Sequence, residues 1–373
     1  MTLDRRTWLL STAGAIAATR WVRLPVPRAK APLRILFLGG TGFIGPHMVR
    51  RALDRGHTVT LFSRGRAGTD LFPGVERLIG DRNGQLDALK GRKWDVVIDN
   101  SGYTADNVKA SGELLADSVS HYLFTSTLDA YRDYFTAGID ETYPLATLPA
   151  GAPQDPGKYY GPLKAMSERE VARIYPNRHT IIRPGWIVGP GDNNHLFTYW
   201  VLRVRRGGEI LAPNPDDPMQ LIDARDLAAF VIHAVEARLP GAYNAVGPQM
   251  TWAEMLYGIK ATTSAPSTFH WADADFLKAN GVKPFFGMPL WWPDRNDYDP
   301  GPMPSGLTGG IGIFRVKGDK ATAAGMTHIA LADLARDTAE WYQKEYPDWP
   351  EQGRPGPTPA REAELIRLLP GRR

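Results

Sequence analysis

The feature that most constrains the fold of this chain is a glycine-rich turn between a short apolar run and an amphipathic segment. The apolar run is Arg34-Ile35-Leu36-Phe37-Leu38, and the turn reads Gly39-Gly40-Thr41-Gly42-Phe43-Ile44-Gly45. A strand, a glycine turn and a helix in this order form the setting in which such a pattern binds a dinucleotide. Glycines bring the backbone close to a pyrophosphate, and a helix N-terminus offers unpaired N–H groups. The spacing G-x-x-G-x-x-G predicts nucleotide contacts from Gly39, Thr41, Gly42, Phe43, Ile44 and Gly45; a purely structural turn is the alternative.

A second motif places a phenol and an ammonium group four residues apart, in Tyr160-Gly161-Pro162-Leu163-Lys164. On a helix these two side chains share one face, and Pro162 is compatible with a helix if it lies in the first turn. A lysine and a positive nicotinamide ring near the phenol lower its pKa, which suits acid/base chemistry near neutral pH. A surface tyrosine and a solvated lysine give the same pattern, but its position about 120 residues after the glycine turn makes it specific.

Together these motifs resemble an extended short-chain dehydrogenase/reductase of the NAD-dependent epimerase/dehydratase family, over about Leu33 to Tyr346. The resemblance extends to bacterial proteins that are often labelled isoflavone-reductase-like. Further matching segments are Gly80-Asp81-Arg82, Val96–Ser101, Phe124–Thr127 ahead of Tyr131, Ile182–Asp192 and Leu221–Ala228. The resemblance implies a Rossmann-like, doubly wound parallel α/β sheet with a smaller C-terminal α/β subdomain that binds substrate.

The order of elements predicts the same architecture, because short β runs alternate with helical segments from Leu33 onward. We predict a signal and linker at 1–31, a nucleotide-binding domain at 32–185 that also receives about 218–238, a substrate-binding subdomain at 186–346, and a peripheral tail at 347–373. Predicted strands are Arg34–Leu38, Thr58–Phe62, Arg77–Ile79, Val96–Asp99, His121–Thr125 and Thr180–Arg183. Predicted helices are Trp200–Arg206, Ala224–Ala237 and Leu331–Tyr346.

The N-terminus is different in kind from the rest of the chain. Asp4-Arg5-Arg6-Thr7-Trp8-Leu9-Leu10 precedes an apolar stretch through Ala18 and resembles a twin-arginine export signal. We therefore expect the twin-arginine export machinery as a partner and a periplasmic location. A basic tail or an uncleaved anchor is the alternative, and a cytoplasmic location would go with a leader that is not exported.

Composition narrows the function further. The 373 residues contain no cysteine, which excludes disulfides and thiolate chemistry, and residues 1–31 carry a net charge of +5 in a chain whose total is +4. The remainder is close to neutral, so the high isoelectric point belongs to the leader and nucleic-acid binding is not expected. No metal-binding motif is visible, and no run of 18 apolar residues predicts a membrane span.

The choice between NAD(H) and NADP(H) is made where the second strand ends. NAD-binding relatives place a carboxylate there for the ribose 2′-hydroxyl, whereas this chain continues into Ser63-Arg64-Gly65-Arg66. A guanidinium fork suits a 2′-phosphate. We therefore predict contacts from Ser63, Arg64 and Arg66 and a preference for NADP(H) over NAD(H), with two solvated surface arginines as the alternative.

The family resemblance implies further cofactor contacts. Asp81 matches a position that contacts adenine, although it could simply cap a turn. Asn100-Ser101-Gly102 lies where the fourth strand meets the ribose, and Lys164 orients the nicotinamide ribose. Pro184 and Gly185 match the segment beside the nicotinamide amide, although Pro-Gly is also ordinary turn chemistry.

The resemblance also implies a third catalytic group, because Thr127 falls at the family's Ser/Thr position four residues before Tyr131. The adjacent Thr125 and Ser126 make its register the main risk. Sugar-nucleotide 4,6-dehydratases carry Thr-Asp-Glu here, whereas this chain reads Thr127-Leu128-Asp129. Leu128 cannot donate a proton, so 4,6-dehydration by the usual route is not expected. Asp129 could accept a proton beside a transient ketone, or it could be a solvated carboxylate.

Candidate substrate contacts come from several loops. They are Tyr103, Asn194, His195, Trp291 and Trp292. The two tryptophans could stack on a sugar ring or an aromatic ligand, and packing between loop and core is the alternative. The specificity loops at 135–158, 192–215 and 284–316 match no ligand pattern, so the sequence leaves a sugar, a polyol and an aromatic ketone open as substrates.

Three functions follow from these observations. The leading hypothesis is redox-neutral epimerisation of a sugar or polyol with a tightly retained NADP(H), because an exported enzyme has no cofactor pool outside. The second is a net NADPH-dependent carbonyl or enone reductase. The third is a non-catalytic nucleotide- or RNA-binding relative. The family resemblance also makes a homodimer a reasonable expectation.

Overall fold

The computed structural model describes residues 26–299, 309–347 and 355–370. The proposed export signal thus lies outside the described residues, apart from 26–31. The strands are β1 Arg34–Leu38, β2 Thr58–Ser63, β3 Glu76–Ile79, β4 Val96–Asp99, β5 His121–Thr125, β6 His179–Pro184, β7 Trp186–Val188, β8 Gly208–Pro213, β9 Pro218–Asp223, β10 Gly241–Ala245, β11 Gln249–Thr251, β12 Ser267–Ala272, β13 Pro284–Phe285 and β14 Met288–Pro289. The helices are α1 Gly45–Asp54, α2 Ala105–Leu115, α3 Pro156–Ile174, α4 Leu196–Arg206, α5 Ala224–Ala237, α6 Trp252–Lys260, α7 Ala274–Ala279, α8 Asp319–Ala323, α9 Leu331–Glu345 and α10 Pro359–Leu368.

Seven parallel strands form the large sheet, in the order β10-β6-β5-β4-β1-β2-β3. The chain runs outward from β1 to β3 and returns to β4 on the other side, so the strand order reverses between β1 and β4. Helices α1 and α5 cover one face, and α2 and α3 cover the other. The central strands are therefore buried on both sides and read as nearly continuous apolar runs. This confirms the predicted Rossmann-like α/β class.

The smaller subdomain is built from residues after β6. Strands β11, β9 and β7 form a three-stranded sheet, and β8 pairs in parallel with β12. Its core contains Trp200 and Trp252, whose ring centroids lie 5.1 Å apart. The range 218–238, assigned to the nucleotide domain from sequence, divides between the two units: β9 joins the small sheet, whereas α5 packs on the large one.

The tail expected at 347–373 contributes a packed helix, which corrects its description as peripheral. Helix α10 buries Leu365 and Ile366 in the subdomain core. Its Glu362 is 3% exposed and accepts hydrogen bonds from Arg203 Nε at 2.8 Å and from the Leu211 N–H at 3.1 Å. Sequence reasoning missed this helix because it lies in a Pro- and charge-rich stretch, and only the tertiary contact shows why Glu362 faces inward.

Replacing Glu362 by alanine is expected to lower the free energy of unfolding by about 3–5 kcal/mol, because Arg203 would keep a buried charge without its partner. Glu364 is the matched control, since it lies on the same helix with 48% of its side chain exposed and pairs with Arg361. Glu364→Ala should cost less than about 1 kcal/mol. Urea unfolding of both variants measures the difference; equal midpoints would refute the role given to Glu362.

In the described part of the chain, no helix combines the length and the apolar character that crossing a membrane requires.

Candidate active site

A cleft of about 260 Å³ opens at the carboxyl edge of the large sheet, where the strand order reverses. Open parallel sheets bind their ligands at such a switch point. Eight predicted contact residues line it: Gly39, Thr41, Ser63, Arg64, Arg66, Asp81, Ser101 and Tyr103. The other lining residues are Phe62, Gly65, Ala67, Gly80, Arg82, Asn83 and Asn107. Segments that lie far apart in sequence therefore meet at one place.

Three glycines of the turn are required for different reasons. Gly39 has a φ of +87°, which favours glycine, and a Cβ there would lie 2.8 Å from Ser101 Cβ. A Cβ at Gly45 would lie 2.5 Å from the carbonyl carbon of Gly40, so this glycine lets the helix start directly against the turn. A Cβ at Gly42 would meet no protein atom within 4 Å. Internal contacts therefore do not explain Gly42, whereas close approach of a pyrophosphate does.

The first turn of α1 suits an anion. Ile44 is the N-cap residue and supplies no side-chain cap, and the turn carries no acidic residue. The Gly45 N–H donates to the Gly42 carbonyl at 3.1 Å and Pro46 has no N–H, so what this helix end offers a phosphate is mainly the positive end of its dipole. Phe43 packs edge-on against His47, whose Nε2 lies 2.8 Å from the Pro190 carbonyl oxygen. The glycine turn and this helix thus fit the pyrophosphate of a dinucleotide.

The end of β2 carries cations and no carboxylate. Ser63 accepts a hydrogen bond from the Gly65 N–H at 3.3 Å, and Arg64 and Arg66 are exposed at the cleft. Within the described residues neither arginine forms an ion pair. Across the cleft, Asp81 accepts a hydrogen bond from the Asn83 N–H at 2.9 Å. Asp81 therefore caps a turn and also lines the cleft, so both of its predicted roles are compatible with the structure.

Arg64→Ala is expected to weaken NADPH binding by about 10- to 100-fold and to leave NADH binding unchanged, because a charge-assisted hydrogen bond to the 2′-phosphate would be lost. Fluorescence titration of the reduced nucleotides measures both affinities. Lys93→Ala is the control, since Lys93 is an exposed cation of the same domain outside the cleft lining. Equal affinities of the native protein for the two nucleotides would contradict the prediction.

The segment after β4 supports the site from within. Asn100 accepts a hydrogen bond from Thr125 Oγ1 at 2.6 Å, and its amide nitrogen lies 3.4 Å from the Met48 sulfur. Its side chain therefore joins β4, β5 and α1. Ser101 packs against Gly39 at the cleft, and Gly102 is buried with its carbonyl directed to Lys164.

Arg82 is a site residue that sequence reasoning missed. It lines the cleft and forms an ion pair with Asp99, which is fully buried at the end of β4. Arg82 also donates to the Asn107 carbonyl at 3.0 Å and to Ser111 Oγ at 2.7 Å. Tyr122 donates to the other Asp99 oxygen at 2.7 Å. The available signal was the position of Arg82 directly after Asp81 at the end of a strand.

A break in α3 gives the Tyr–Lys motif its helical geometry. Tyr159 has the non-helical angles φ −128° and ψ 41°, so the helix effectively restarts after it. Pro162 therefore lies in a first turn, as its missing N–H requires. A Cβ at Gly161 would lie only 2.0 Å from the Asp129 carbonyl oxygen, so this glycine lets the helix touch the turn at Leu128–Ala130.

Tyr160, Thr127 and Asp129 come together at this contact. Thr127 Oγ1 accepts a hydrogen bond from the Asp129 N–H at 3.2 Å, and Asp129 Oδ1 accepts from Tyr134 Oη at 3.0 Å. The pKa of Tyr160 is raised, first by burial and then by the Asp129 charge and Tyr103, while Thr127 lowers it. The expected lowering of this pKa is therefore not found in the protein alone; it requires the charge of the nicotinamide. Burial also raises the pKa of Asp129.

Lys164 is buried one turn after Tyr160. Its Nζ donates to the Thr125 carbonyl at 2.7 Å and to the Gly102 carbonyl at 3.0 Å, and it lies 4.0 Å from the Phe124 ring centroid. Burial lowers the pKa of Lys164 to about 7, against the opposing charges of Asp99 and Glu168. Two backbone carbonyls thus fix the ammonium group beside the ribose segment.

Pro184 lies at the end of β6 and is buried, and the Gly185 N–H donates to the Ala245 carbonyl at 3.0 Å. A Cβ at Gly185 would lie 3.5 Å from Leu128 Cδ1, so this turn packs beside the residues that follow β5. The segment therefore borders the Thr127 region, at the sheet edge where the resemblance implied a nicotinamide contact.

The structure contradicts the role given to the two tryptophans. Trp291 is fully buried and Trp292 is 2% exposed, so neither ring offers a face to a substrate. Trp291 Nε1 donates to Asp217 Oδ2 at 3.0 Å, and Trp292 packs on Phe285 with centroids 5.7 Å apart. Trp186, which directly follows Gly185, is half-buried and packs on Phe285 with ring centroids 4.5 Å apart.

His195 also has a different role from the predicted one. It is 8% exposed and lies among the rings of Trp341, Tyr342 and Tyr346 on and just after α9. Its left-handed backbone, with φ +56°, starts α4. Asn194 is exposed, and its N–H donates to Asp192 at 2.9 Å. His195 is thus a packing residue, whereas Tyr103 is 50% exposed at the cleft and acts on the Tyr160 pKa.

Within residues 26–299, 309–347 and 355–370, no group of three or more His, Cys, Asp or Glu side chains is arranged to hold a metal ion.

Comparison with known proteins gives the family that the sequence motifs resemble. The NAD dependent epimerase/dehydratase family matches residues 35–245. The chain is 27% identical over 224 residues to the chloroplast stem-loop binding protein of 41 kDa b from Arabidopsis thaliana, a match that covers 56% of each chain. It is also 27% identical over 266 residues to a 2-alkyl-3-oxoalkanoate reductase from Stenotrophomonas maltophilia, covering 63% of this chain and 77% of that protein.

Solved structures agree in fold. The Thermus thermophilus UDP-glucose 4-epimerase in complex with NAD superposes with a TM-score of 0.55 at 18% identity, over 83% of this chain and 99% of that one. The family match spans the glycine turn, the Tyr160–Lys164 pair and all seven strands of the large sheet. The chain therefore belongs to the NAD dependent epimerase/dehydratase family and has the fold of its NAD(P)-dependent enzymes.

Proposed function

We propose that this protein is an NADP(H)-dependent enzyme that epimerises a sugar or polyol without net oxidation or reduction. The observation that carries the proposal is that the cleft with Arg64 and Arg66 is also lined by Ser101 and Tyr103, which flank Gly102. The Gly102 carbonyl accepts a hydrogen bond from Lys164, which lies one turn after Tyr160. An acid/base phenol beside a dinucleotide cleft is what reversible oxidation of an alcohol requires.

The residues have separable roles in this reaction. Tyr160 removes the proton from a substrate hydroxyl and later returns it, and Thr127 holds the same oxygen. Lys164 keeps its ammonium group between two carbonyls and favours the ionised phenol. Asp129 can take the proton from the carbon beside a transient ketone, because its raised pKa makes it a better base than a solvated aspartate.

The cofactor is held by the glycine turn at its pyrophosphate and by Arg64 and Arg66 at its 2′-phosphate. Bound NADP(H) supplies the hydride acceptor and donor for the substrate carbon. The absence of a carboxylate at the end of β2 supports NADP(H) over NAD(H), since an acidic side chain there would repel a 2′-phosphate.

The redox-neutral form of the reaction follows from the proposed export. Twin-arginine export carries folded proteins, which allows a cofactor to be loaded before export. No ready NADP(H) pool is expected outside the cytoplasm, so a retained cofactor has to be regenerated within each cycle. Oxidation to a ketone, inversion at or beside it, and return of the hydride meet this condition.

Mass spectrometry of the nucleotide released on denaturing the dialysed protein tests the proposal. Stoichiometric NADP(H) is the expected result and directs the search to epimerisable sugars. An empty site that exchanges NADPH rapidly, together with net turnover that needs added NADPH, would favour the carbonyl or enone reductase instead. The similarity to the reductase from Stenotrophomonas maltophilia makes that the second candidate.

The binding-protein hypothesis rests on the similarity to the chloroplast stem-loop binding protein. The pair of half-buried Tyr160 and buried Lys164, together with the near-neutral charge after residue 31, argues against it. Binding of a stem-loop RNA that is unaffected by Tyr160→Phe, with no bound nucleotide, would support it.

A further inference from the structure

A buried ion pair lies directly behind the Tyr160–Lys164 face of α3. Glu168 follows Lys164 by one turn, so Tyr160, Lys164 and Glu168 share a face. Glu168 and Arg183 are 4% and 5% exposed. The Arg183 guanidinium binds the Glu168 carboxylate through two hydrogen bonds. Nη2 donates to Oε2 at 2.7 Å, and Nε donates to Oε1 at 3.0 Å. Neither residue touches the cofactor cleft, yet each belongs to an element that carries a site residue.

The ion pair also contacts both ends of the segment 126–131, which carries Thr127 and Asp129. Ser126, which directly precedes Thr127, donates its hydroxyl to Glu168 Oε1 at 2.5 Å. At the other end, Arg183 Nη1 donates to Tyr131 Oη at 3.0 Å and lies over the Tyr131 ring. Tyr131 in turn donates to Asn244 Oδ1 at 2.7 Å. The segment 126–131, which carries Thr127 and Asp129, is therefore fastened at its first and last residues to one ion pair.

Stability alone is a weak reason for such a pair. Burying two charges costs desolvation energy that their attraction only repays with good geometry, and apolar replacements are often equally stable. What the charges add here is a fixed orientation of α3 relative to β6, because a bidentate guanidinium restricts the angle at which the two side chains can meet. A shift of about 1 Å between catalytic groups can cost 100-fold in rate. The relative orientation of the elements that carry these groups therefore matters.

We infer that Glu168 and Arg183 are positioning residues, which hold the Thr127–Asp129 turn in register with Tyr160 and Lys164. That this positioning matters for catalysis rests on the proposed function. That the ion pair holds the turn in place rests on the contacts above.

Glu168 also acts on Lys164 through its charge. The charged groups that face Lys164 are Asp99 from β4 and Glu168 from α3, which raise its pKa, and Arg82, which lowers it. Burial lowers the pKa of Lys164 and the Glu168 charge raises it, so removing that charge should lower this pKa further. The cationic form favours the negatively charged cofactor. NADPH affinity should therefore decline, as pH rises, at a lower pH in Glu168→Gln than in the native protein.

Glu168→Gln tests the inference, with Glu362→Gln as the matched control. Both remove one buried carboxylate charge that faces an arginine, but Glu362 lies in the substrate-binding subdomain against Arg203. Hydrogen exchange is measured by mass spectrometry without cofactor. Exchange in 126–131 should accelerate by about tenfold in Glu168→Gln and stay unchanged in Glu362→Gln.

NADPH titration across pH 6–9, followed by fluorescence, provides the second measurement. The midpoint should move to lower pH in Glu168→Gln alone, and about tenfold in affinity should be lost for each pH unit of that shift. A merely structural residue would change stability without moving the midpoint.

Unchanged exchange in 126–131, or an equal increase in the control, would overturn the inference. If the native protein binds no NADPH, the proposed function fails, and the exchange result still decides whether the pair positions the turn.

Discussion

Replacing Tyr160 by phenylalanine is expected to lower turnover by about a thousandfold, because proton transfer to a positioned side chain contributes 10²–10⁴-fold. Cofactor binding should be unchanged, since Tyr160 does not line the cleft that contains the glycine turn and the two arginines. The measurement is transient reduction of bound nucleotide by a panel of sugars and polyols, followed by absorbance of the reduced nicotinamide.

Tyr159→Phe is the control for this substitution. Tyr159 is adjacent and half-buried, and its ring contacts Lys158 at 5.2 Å. It should keep native turnover. If Tyr160→Phe turns over as fast as the native enzyme, the phenol is not the acid/base group and the catalytic proposal fails.

The raised pKa of Tyr160 adds a pH dependence, since only the ionised phenol removes a proton. Alcohol oxidation should therefore speed up as the pH rises toward the pKa that Tyr160 has with the nicotinamide bound.

Gly161→Ala is expected to lower turnover by about 100-fold through geometry alone. The added Cβ would lie 2.0 Å from the Asp129 carbonyl oxygen, so the helix and the turn have to separate by about 1 Å. This moves Tyr160 away from Thr127 without removing either group. Overpacking should also cost about 1–3 kcal/mol of stability, which leaves a folded protein whose turnover can be measured.

Gly157→Ala is the matched control, because Gly157 lies in the exposed start of the same helix. A Cβ there would meet only the flexible Asp155 carboxylate, at 3.2 Å. Turnover and thermal unfolding are compared for both variants. A Gly161→Ala protein with native turnover would show that contact between the helix and the turn does not set the catalytic geometry.

The parts of the fold that local pattern determines were predictable. Strands β1, β4 and β5 and helix α5 have the expected bounds, because fully buried strands read as apolar runs and α5 alternates with the helical period. The glycine turn and the Tyr160–Lys164 pair were predictable for a related reason, since their geometry is made by residues within one turn of each other. Strand β10 was not predicted, because Gly241-Ala242-Tyr243-Asn244-Ala245 becomes a strand only beside β6.

Contacts across long sequence separations were not predictable. Trp291 was a candidate for stacking on a ligand, with packing in the core as the alternative, and its indole donates to Asp217, 74 residues away. His195 was expected near the substrate, but α9 covers it with aromatic rings. Arg82 and Glu168 were missed because their partners are distant. The spacing of Glu168 from Lys164 nevertheless repeats that of Lys164 from Tyr160, and was the one local signal of its importance.

The inward-facing carboxylate of α10 bears on how the protein is made. Arg203 meets Glu362 only after 159 further residues have been synthesised. Until then its guanidinium lacks this counterion, which opposes closure of the subdomain around a buried charge. The large sheet, whose last strand ends at Ala245, can assemble before this point. A nucleotide in the cell would then meet a finished cleft beside an unfinished subdomain. The order of synthesis thus allows a cofactor to bind before the subdomain is complete.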